Sequence, residues 1–347
     1  MTTVRVAVNG YGTIGKRVAD AVARQPDLTL VGVAKTRPSF EAREAVDRGY
    51  PLYVAGDSGA DAFRAAGLPV AGTVEEMVHA ADVVVDAAPE RIGKTNAAMY
   101  AGAGVRAIFQ GGEKADVAEV SFNALANFDA ARGRRTVRVV SCNTTGLARA
   151  ASVLAARYGV DRWEATLVRR AADPAETGRG PINGIVPTFQ LPSHHGPDLR
   201  TIFPTLDIAT AAVVVPTTLM HVHVNTVRLA RPPASTAEVL AAFRATPRFH
   251  VFAGWEGVDG TPQVMEYARD RSRGRPDMME NVVWENGTRL DGATVYFFQA
   301  IHQESIVVPE NIDAIRAMFD LAPDARSSIA RTDESLGIPR PTAAGSR

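Results

Sequence analysis

Cysteine and lysine are both scarce in this chain of 347 residues. Cys142 is the only cysteine, so the chain cannot form an internal disulfide bond. Lysine occurs only at positions 16, 35, 94 and 114, whereas the chain has 34 arginines. Either cation serves a solvated surface, but a lysine offers a compact ammonium that the planar guanidinium of arginine does not.

An excess of charge and long apolar runs are also missing. The 38 basic and 38 acidic side chains cancel, so no overall field favours nucleic acid as a partner. No apolar stretch approaches the ~20 residues of a membrane-spanning helix, and the first residues follow a strand pattern without a signal peptide. We therefore expect a cytoplasmic protein that binds neither nucleic acid nor a membrane.

What the chain does contain is typical of a globular α/β protein. Hydrophobic residues make up 46% of the sequence and charged residues 22%. The length exceeds the size at which a single hydrophobic core stops growing, so we expect two domains. Strand patterns alternate with helix patterns through the first 140 residues, which predicts a doubly wound parallel sheet of the Rossmann type.

The N-terminus carries a glycine-rich turn between a strand and a helix. An alternating β-branched run at 4–9 leads into Gly10, Gly12 and Gly15, and an amphipathic helix pattern follows at 16–23. In this G-x-G-x-x-G context the first glycine permits the tight turn, the second lets a pyrophosphate approach and the third allows close packing. The alternative is a turn that serves geometry alone. We expect a dinucleotide site, with the pyrophosphate at the N-terminus of the helix.

The end of the second predicted strand bears on the choice of cofactor. An NAD-selective site usually places an acidic residue there, which accepts a hydrogen bond from the ribose 2′-hydroxyl. The sequence after the strand at 28–34 has Lys35 and Arg37 instead. We expect that NADP is accepted, either beside NAD or in preference to it; the alternative is that both cations are solvated loop residues.

Cys142 lies between a strand pattern at 137–140 and a helix pattern at 146–158. At a helix N-terminus, free backbone N–H groups and the helix dipole stabilise a thiolate over a thiol. A buried and inert cysteine is the alternative. The polar residues Asn143, Thr144 and Thr145 favour a reactive nucleophile.

Four histidines and two arginines are further candidates. His194 and His195 lie in a long Gly- and Pro-rich segment at 173–204, which is typical of a functional loop. Zinc binding is the alternative, but we expect no metal.

His221 and His223 are two residues apart on a predicted strand and therefore share a face. One of them is a candidate general base, since the pKa of histidine lies near working pH; the alternative is two structural histidines in a half-buried strand. Arg169 and Arg170 are adjacent on another strand, so we expect at most one of them to face a given site.

Several motifs together resemble one family. Three are NGYGTIG at 9–15, SCNTTG at 141–146 and HQES at 302–305, and further matches lie at 35–38, 109–114, 192–198, 216–221 and 306–311. The chain resembles phosphorylating glyceraldehyde-3-phosphate dehydrogenase of the archaeal type (class II). It departs from the bacterial and eukaryotic branch, because no histidine lies between Cys142 and His194.

The resemblance implies an architecture and an assembly. It implies an NAD(P)-binding Rossmann domain at 1–140, joined by a C-terminal helix at 304–338, and an α/β catalytic domain with a mixed sheet at 141–303. Residues 339–347 are expected to be a disordered tail. The implied assembly is a homotetramer, and the implied cofactor is NADP or NAD.

The resemblance also implies roles for residues. Cys142 is the expected nucleophile and His221 its base, with His195 the second choice. The expected substrate contacts, with glyceraldehyde 3-phosphate and inorganic phosphate as the ligands, are Ser141, Asn143, Thr144, His194, His195 and Arg170. The expected cofactor contacts are Gly10, Gly12, Thr13, Ile14, Gly15, Lys35, Gly112, Gln303 and also Arg170.

Two alternatives remain open from the sequence. Aspartate-semialdehyde dehydrogenase and N-acetylglutamyl-phosphate reductase follow the same chemical plan, but they need a site for an amino-acid carboxylate. A nucleotide-sensing protein without catalysis is the other alternative, and it would have no use for an activated thiol.

Overall fold

The computed structural model describes residues 3–56, 59–89, 91–110, 112–171 and 180–341. The chain forms two compact units. Unit 1 comprises the chain up to Ser141 together with Val308–Gly337, and unit 2 comprises Cys142–Val307 and the chain from Ile338 onward. Most of the tail expected at 339–347 lies outside the described residues.

Unit 1 contains an eight-stranded sheet in which every neighbouring pair is parallel. Its strands are β1 (Val4–Asn9), β2 (Leu28–Lys35), β3 (Leu52–Val54), β4 (Gly72–Thr73), β5 (Val83–Asp86), β6 (Arg106–Phe109), β7 (Val120–Phe122) and β8 (Thr136–Val139). The order β4-β3-β2-β1-β5-β6-β8-β7 reverses between β1 and β5. Ligands of such sheets bind at this reversal, outside the carboxyl ends of the strands.

Eight helices belong to the described part of unit 1. They are α1 (Gly15–Ala23), α2 (Phe40–Asp47), α3 (Gly59–Ala65), α4 (Val74–His79), α5 (Ile92–Gly102), α6 (Ala124–Asn127), α11 (Val308–Met318) and α12 (Ala325–Leu336). The buried strands β1 and β5 form the centre of the sheet, and their side chains are almost wholly enclosed because helices cover a parallel sheet on both faces. The predicted Rossmann-type sheet is confirmed.

The C-terminal segment of unit 1 differs from the single helix expected at 304–338. It forms two helices, α11 and α12. The break follows from local chemistry: Asp320 has a positive φ of 51°, and Pro323 precedes the second helix. Asp324 then caps α12 by accepting a hydrogen bond from the backbone N–H of Ser327 at 2.7 Å.

Unit 2 contains a seven-stranded mixed sheet, as expected. Its strands are β9 (Val160–Arg170), β10 (Val186–Pro187), β11 (Ile208–Val215), β12 (His221–Leu229), β13 (Phe249–Phe252), β14 (Asn281–Asp291) and β15 (Thr294–Ile301). The order is β10-β11-β9-β12-β15-β14-β13, with parallel pairs at β11–β9 and β13–β14 and antiparallel pairs elsewhere.

Helix α7 (Cys142–Tyr158) covers this sheet, and its small residues allow a close approach. A Cβ at Gly146 would lie 2.3 Å from Cδ1 of Ile301 on β15, so a larger residue there would force that side chain to move. The remaining helices of unit 2 are α8 (His195–Leu199), α9 (Thr236–Arg244) and α10 (Thr261–Asp270). No helix in the described part of the chain has the length and apolar character to cross a membrane.

Candidate active site

The glycine turn of unit 1 leaves room for a ligand. Gly10 has a φ of +102°, and a Cβ there would lie 2.8 Å from the backbone of Ala87 and Ala88 after β5. A Cβ at Gly15 would lie 1.8 Å from the carbonyl oxygen of Gly10, whereas one at Gly12 would meet nothing within 4 Å. The first and third glycines are thus needed for packing, and the second borders open space. This arrangement fits a dinucleotide whose pyrophosphate approaches the backbone.

Helix α1 begins at this turn, and the side chain of its N-terminal residue does not cap it. Ile14 occupies the N-cap position and makes no side-chain hydrogen bond there. The first backbone N–H groups of a helix attract an anion. Gly112, after β6, has a φ of +82° and open space at its Cβ position. The predicted cofactor residues Gly10, Gly12, Thr13, Ile14, Gly15 and Gly112 therefore lie on loops at the carboxyl ends of β1 and β6 or at the start of α1.

Lys35, the last residue of β2, has an acidic neighbour that the sequence did not predict. The ammonium of Lys35 lies 3.6 Å from a carboxylate oxygen of Glu41 in α2. The expectation that no carboxylate lies near Lys35 is therefore wrong. The immediate sequence after β2 has no acid, but the turn into α2 brings Glu41 back to the end of the strand.

Cys142 is the first residue of α7 and is half-buried. Burial raises the pKa of its thiol to about 11, against the charges of Arg170 and Arg169, which lower it. Cys142 thus occupies the helix N-terminus expected from the sequence, and its role as a reactive nucleophile stays a prediction. The desolvation cost exceeds the stabilisation by the arginines and the backbone N–H, so the neutral thiol is the resting form.

The residue after the cysteine is held by a buried histidine. His223 Nε2 lies 2.9 Å from Asn143 Oδ1, and its Nδ1 lies 3.0 Å from the side-chain nitrogen of Gln299. Since the amide nitrogen of Gln299 donates to Nδ1, the ring proton of neutral His223 is on Nε2 and is donated to Asn143. Burial lowers the pKa of His223 to about 3. Both ring nitrogens are engaged, so His223 positions the start of α7.

His221 shares the buried face of β12 with His223, as the two-residue spacing predicts. Its Nδ1 accepts a hydrogen bond of 3.0 Å from the backbone N–H of Arg170. Burial, reinforced by Arg170, holds the pKa of His221 well below its usual range, so the ring is neutral. With Nδ1 accepting, the single ring proton lies on Nε2.

His195 has the opposite tautomer. The hydroxyl of Thr210 donates to the carbonyl oxygen of Ser193 at 2.9 Å, and the hydroxyl of Ser193 donates to Thr210 Oγ1 at 2.8 Å. Ser193 Oγ is therefore left to accept from His195 Nδ1, 3.0 Å away. The ring proton lies on Nδ1, and Nε2 has a free lone pair. Burial lowers the pKa of His195 to about 2, with the charge of His194 adding to the effect.

Thr144 connects α7 with the segment that contains the paired histidines. Its hydroxyl donates a hydrogen bond of 2.6 Å to Asp198 in α8. The rings of His194 and His195 stack with centroids 3.9 Å apart. The charge of Arg169 lowers the pKa of both His195 and His221. Unit 2 thus brings together the predicted residues Cys142, Asn143, Thr144, Arg170, His194, His195 and His221.

Arg170 is paired within the protein. Its guanidinium lies 3.0 Å from the carboxylate of Glu304, with both side chains at most 4% exposed. Its Nε also donates to the side-chain oxygen of Gln303, so two residues of the 302–305 motif hold one arginine. Burial works to raise the pKa of Glu304, but His302 and Arg170 hold it at about 2. Glu304 is therefore a carboxylate.

Arg169 differs from its neighbour, because its buried Nε has no hydrogen-bond partner among the residues that the structure describes. The charges of both arginines nevertheless lower the pKa of Cys142. Both arginines thus act on Cys142 through their charges, since a charge is felt over a longer range than a side-chain contact. That at most one of them faces a given site stays a prediction. Sequence reasoning missed Glu304 and Asp198 as supporting residues and left His223 open between a base and a structural histidine. The acid in the HQES motif was the only local signal for any of them.

Among the described residues, no group of three or more His, Cys, Asp or Glu side chains is arranged to hold a metal ion.

An open glycine turn at the strand-order reversal of a parallel sheet is typical of oxidoreductases that use NAD or NADP. A family model described as glyceraldehyde 3-phosphate dehydrogenase, C-terminal domain, matches residues 141–282. A second, described as dihydrodipicolinate reductase, N-terminus, matches residues 4–121. The two matches fall in unit 2 and unit 1 respectively.

Curated relatives match nearly the whole chain. Glyceraldehyde-3-phosphate dehydrogenase of Haloarcula marismortui is 53% identical over 338 residues, which cover 97% of this chain and 95% of the relative. The enzyme of the same name from Archaeoglobus fulgidus is 52% identical over 340 residues, covering 97% and 99%. The chain belongs to the glyceraldehyde-3-phosphate dehydrogenase family. Its dinucleotide-binding domain implies the use of NAD or NADP.

Proposed function

We propose that this protein oxidises D-glyceraldehyde 3-phosphate to 1,3-bisphosphoglycerate with NAD(P)+ and inorganic phosphate, in the reversible step shared by glycolysis and gluconeogenesis. The observation that carries the proposal is the position of Cys142, the only cysteine, at the first residue of α7 in the unit that matches the family's C-terminal domain. We also propose a cytoplasmic location.

The two units would have different roles in this reaction. Unit 1 would bind NAD(P) through the turn at Gly10, Gly12, Thr13, Ile14 and Gly15 and through the loop at Gly112, with Lys35 near the adenosine ribose. When bound, the oxidised nicotinamide supplies the hydride acceptor. Unit 2 would hold the groups that react with the aldehyde and with phosphate. The side-chain oxygen of Gln303 accepts a hydrogen bond from Arg170. We propose Gln303 as a cofactor contact on the basis of the family resemblance alone.

Cys142 would act as the nucleophile. Its sulphur attacks the aldehyde carbon, a C–S bond forms, and the carbonyl π electrons move to oxygen to give a thiohemiacetal. Backbone N–H groups at the start of α7 would stabilise the developing oxyanion, with Ser141 and Asn143 as further substrate contacts. Because the pKa of the thiol is raised to about 11, the thiol proton must pass to a base during this attack.

Two histidines are candidates for the proton steps, and their tautomers favour different roles. His221 carries its proton on Nε2, so in this state it offers a hydrogen bond to the substrate oxygen. To act as a base it would first have to give up the contact of Nδ1 with Arg170. His195 has an unprotonated Nε2 and can accept a proton directly. The tautomers favour His195, the second choice from the sequence, as the base. Because burial lowers its pKa to about 2, negative charge on the bound substrate would have to stabilise the protonated ring.

Hydride would then leave the thiohemiacetal carbon for the dinucleotide that unit 1 would hold, the hydroxyl proton would pass to the base, and a thioester would remain on Cys142. Inorganic phosphate then attacks the carbonyl carbon, the C–S bond breaks, and the thiolate of Cys142 is released with the acyl phosphate as product. Arg169 is the better phosphate ligand of the arginine pair, because Arg170 is already bound to Glu304. Thr144 and His194 are the remaining proposed phosphate contacts.

We also propose a homotetramer. Unit 2 exposes large apolar side chains that a soluble monomer rarely leaves in water, among them Ile182 (95% exposed) and Phe189 (89%) in the segment before α8. Tyr296, Phe298 and Val224 form a second exposed apolar group on neighbouring strands. Sedimentation equilibrium is the measurement that tests this assembly.

Substitution of the nucleophile tests the proposed chemistry. Cys142→Ser should lower kcat by roughly 10³-fold or more, because a neutral hydroxyl replaces the thiol at the attacking position. NADP should still raise the melting temperature of this variant, since its cofactor residues are intact. The control is Ser152→Ala on the same helix, whose hydroxyl contacts only the carbonyl of Ala148. Near-normal turnover in Cys142→Ser would refute the nucleophile.

The substrate assays separate the alternatives. With phosphate omitted, turnover of glyceraldehyde 3-phosphate should stop after one acylation per site, because the thioester is not discharged. Turnover of aspartate semialdehyde in place of this substrate would favour the related amino-acid enzymes. If the protein binds NADP but none of the tested aldehydes supports reduction of the cofactor, the nucleotide-sensing alternative would be favoured.

A further inference from the structure

A compact charged cluster lies at the carboxyl end of β2. Glu41 has a carboxylate oxygen 3.6 Å from the ammonium of Lys35 and accepts a 2.7 Å hydrogen bond from the hydroxyl of Ser39. Burial alone would raise the pKa of Glu41, but Ser39, Lys35 and Lys16 lower it below its usual value. The cluster thus contains two of only four lysines in the chain, in a protein that uses arginine almost everywhere else.

The cluster adjoins the glycine turn within unit 1. The backbone N–H of Tyr11, in the turn, donates a 3.0 Å hydrogen bond to the carbonyl oxygen of Ala34, next to Lys35. Lys16, in the first turn of α1, has its ammonium 5.6 Å from the ring of Phe40, next to Glu41. The starts of α1 and α2 and the end of β2 therefore converge. In this fold, that position receives the adenosine ribose of a dinucleotide.

The side chains in the cluster are restrained. Those of Lys35 and Glu41 are only 16% and 15% exposed, unlike the long flexible pairs of a solvated surface. Ser39 also caps α2, since its hydroxyl oxygen accepts from the backbone N–H of Ala42. Glu41 is thereby held by the cap of its own helix, with its carboxylate toward Lys35.

Both chemistries of cofactor discrimination are present in this cluster. A carboxylate accepts a hydrogen bond from the 2′-hydroxyl of NAD, whereas a cation pairs with the 2′-phosphate of NADP. We propose that Glu41 is the residue that sets the cofactor preference: it accepts from the ribose 2′-hydroxyl of NAD and competes with the 2′-phosphate of NADP for Lys35. This inference rests on the proposed NAD(P) site. It assigns a dual-cofactor site whose ratio is set by one acidic side chain.

The test is the affinity of the protein for each cofactor by isothermal titration calorimetry. In Glu41→Gln, Kd for NAD should rise about tenfold because a charged acceptor is replaced by a neutral one. Kd for NADP should stay equal or fall, since repulsion of the phosphate is removed and Lys35 is released. The Kd ratio should therefore shift toward NADP by at least about tenfold, and the kcat/KM ratio should follow it.

Two further variants make the result specific. Lys35→Met should raise the Kd for NADP and leave the Kd for NAD nearly unchanged. The Kd ratio should therefore shift toward NAD, opposite to the shift in Glu41→Gln. Glu44→Gln is the matched control, because Glu44 lies on the same helix but pairs with Arg48 and is 42% exposed; its Kd ratio should equal that of wild type. The melting temperatures of the ligand-free variants show whether each is folded.

The inference is overturned if Glu41→Gln changes both affinities by the same factor, if it changes neither, or if Glu44→Gln shifts the ratio equally. Failure of the proposed function would look different. The wild-type protein would then bind a dinucleotide without reducing it in the presence of glyceraldehyde 3-phosphate and phosphate. A wild-type protein that binds neither cofactor would refute the site itself.

Discussion

The candidate cofactor site of unit 1 and the candidate thiol site of unit 2 consist of different kinds of groups. The cofactor turn of unit 1 consists of backbone, open space at Gly12 and charged side chains near the surface. The thiol site of unit 2 consists of buried side chains whose protonation is set by their neighbours, such as His195 by Ser193 and His221 by Arg170. The first site is prepared for binding by shape and charge, whereas the second is prepared for chemistry by fixing where each proton lies.

The largest effect is expected from the histidine that accepts the proton. His195→Asn removes the free Nε2 lone pair and should lower kcat by about 10²–10⁴-fold. His221→Asn removes a hydrogen-bond donor and should cost about tenfold or somewhat more, because a neutral hydrogen bond is worth less than general-base catalysis. The measurement is the steady-state kcat of the two variants. Their cofactor Kd values are the control, because unit 1 is unchanged in both.

The reverse order of the two effects would contradict the assignment of His195 as the base. If His221→Asn loses several decades and His195→Asn retains its kcat, then His221 is the base, as the family resemblance implies. The hydrogen bond from Arg170 to its Nδ1 would then have to change when the substrate binds. Equal losses in both variants would mean that proton transfer uses the two histidines as one unit.

A smaller effect is expected at Arg169. Arg169→Leu removes the arginine whose buried Nε has no partner, and kcat/KM for phosphate should fall by about 10- to 100-fold through loss of a charge-assisted hydrogen bond. Arg162→Leu is the matched control, because Arg162 lies on the same strand but is half-exposed and pairs with Asp207. A normal kcat/KM for phosphate in Arg169→Leu would exclude this arginine as a phosphate ligand.

The same contrast explains what the sequence could predict. The strand, turn and helix around Gly10–Gly15 are decided by neighbours in the chain, so local patterns were sufficient. The helix that follows β8 was predictable for the same reason, although α7 begins at Cys142, earlier than the helix pattern at 146–158. Family motifs supplied the remaining candidate site residues, whose roles stay predictions, whereas composition and periodicity alone left the histidine roles open.

The sequence could not give the long-range contacts. Whether Arg169 or Arg170 is available depends on Glu304, which lies more than 130 positions away. The tautomers of His195 and His221 depend on Thr210 and on the pairing of β12 with β9. The contact between Lys35 and Glu41 depends on how the chain turns between β2 and α2. None of these follows from residue type or spacing.

The smallest effect is expected on the acidity of the thiol. Glu304 raises the pKa of Cys142, whereas Arg170 lowers it. Glu304→Gln removes the negative charge and leaves the charge of Arg170 unbalanced, so both changes lower the pKa of the thiol from about 11. At pH 8, alkylation of Cys142 by iodoacetamide should therefore be severalfold faster than in wild type, because its rate follows the thiolate fraction.

The pH profile of alkylation distinguishes this effect from loosening of the structure. In wild type the rate should rise about tenfold per pH unit between pH 7 and 10, and in Glu304→Gln the whole profile should move to lower pH. A looser fold would instead remove part of the burial that raises the pKa, so protection from hydrogen exchange across α7 must be unchanged for the charge argument to hold. Glu285→Gln, which removes an exposed acid paired with Arg244, is the control and should leave the profile in place. A profile of Glu304→Gln at higher pH than wild type would reverse the sign and refute the electrostatic account of the thiol.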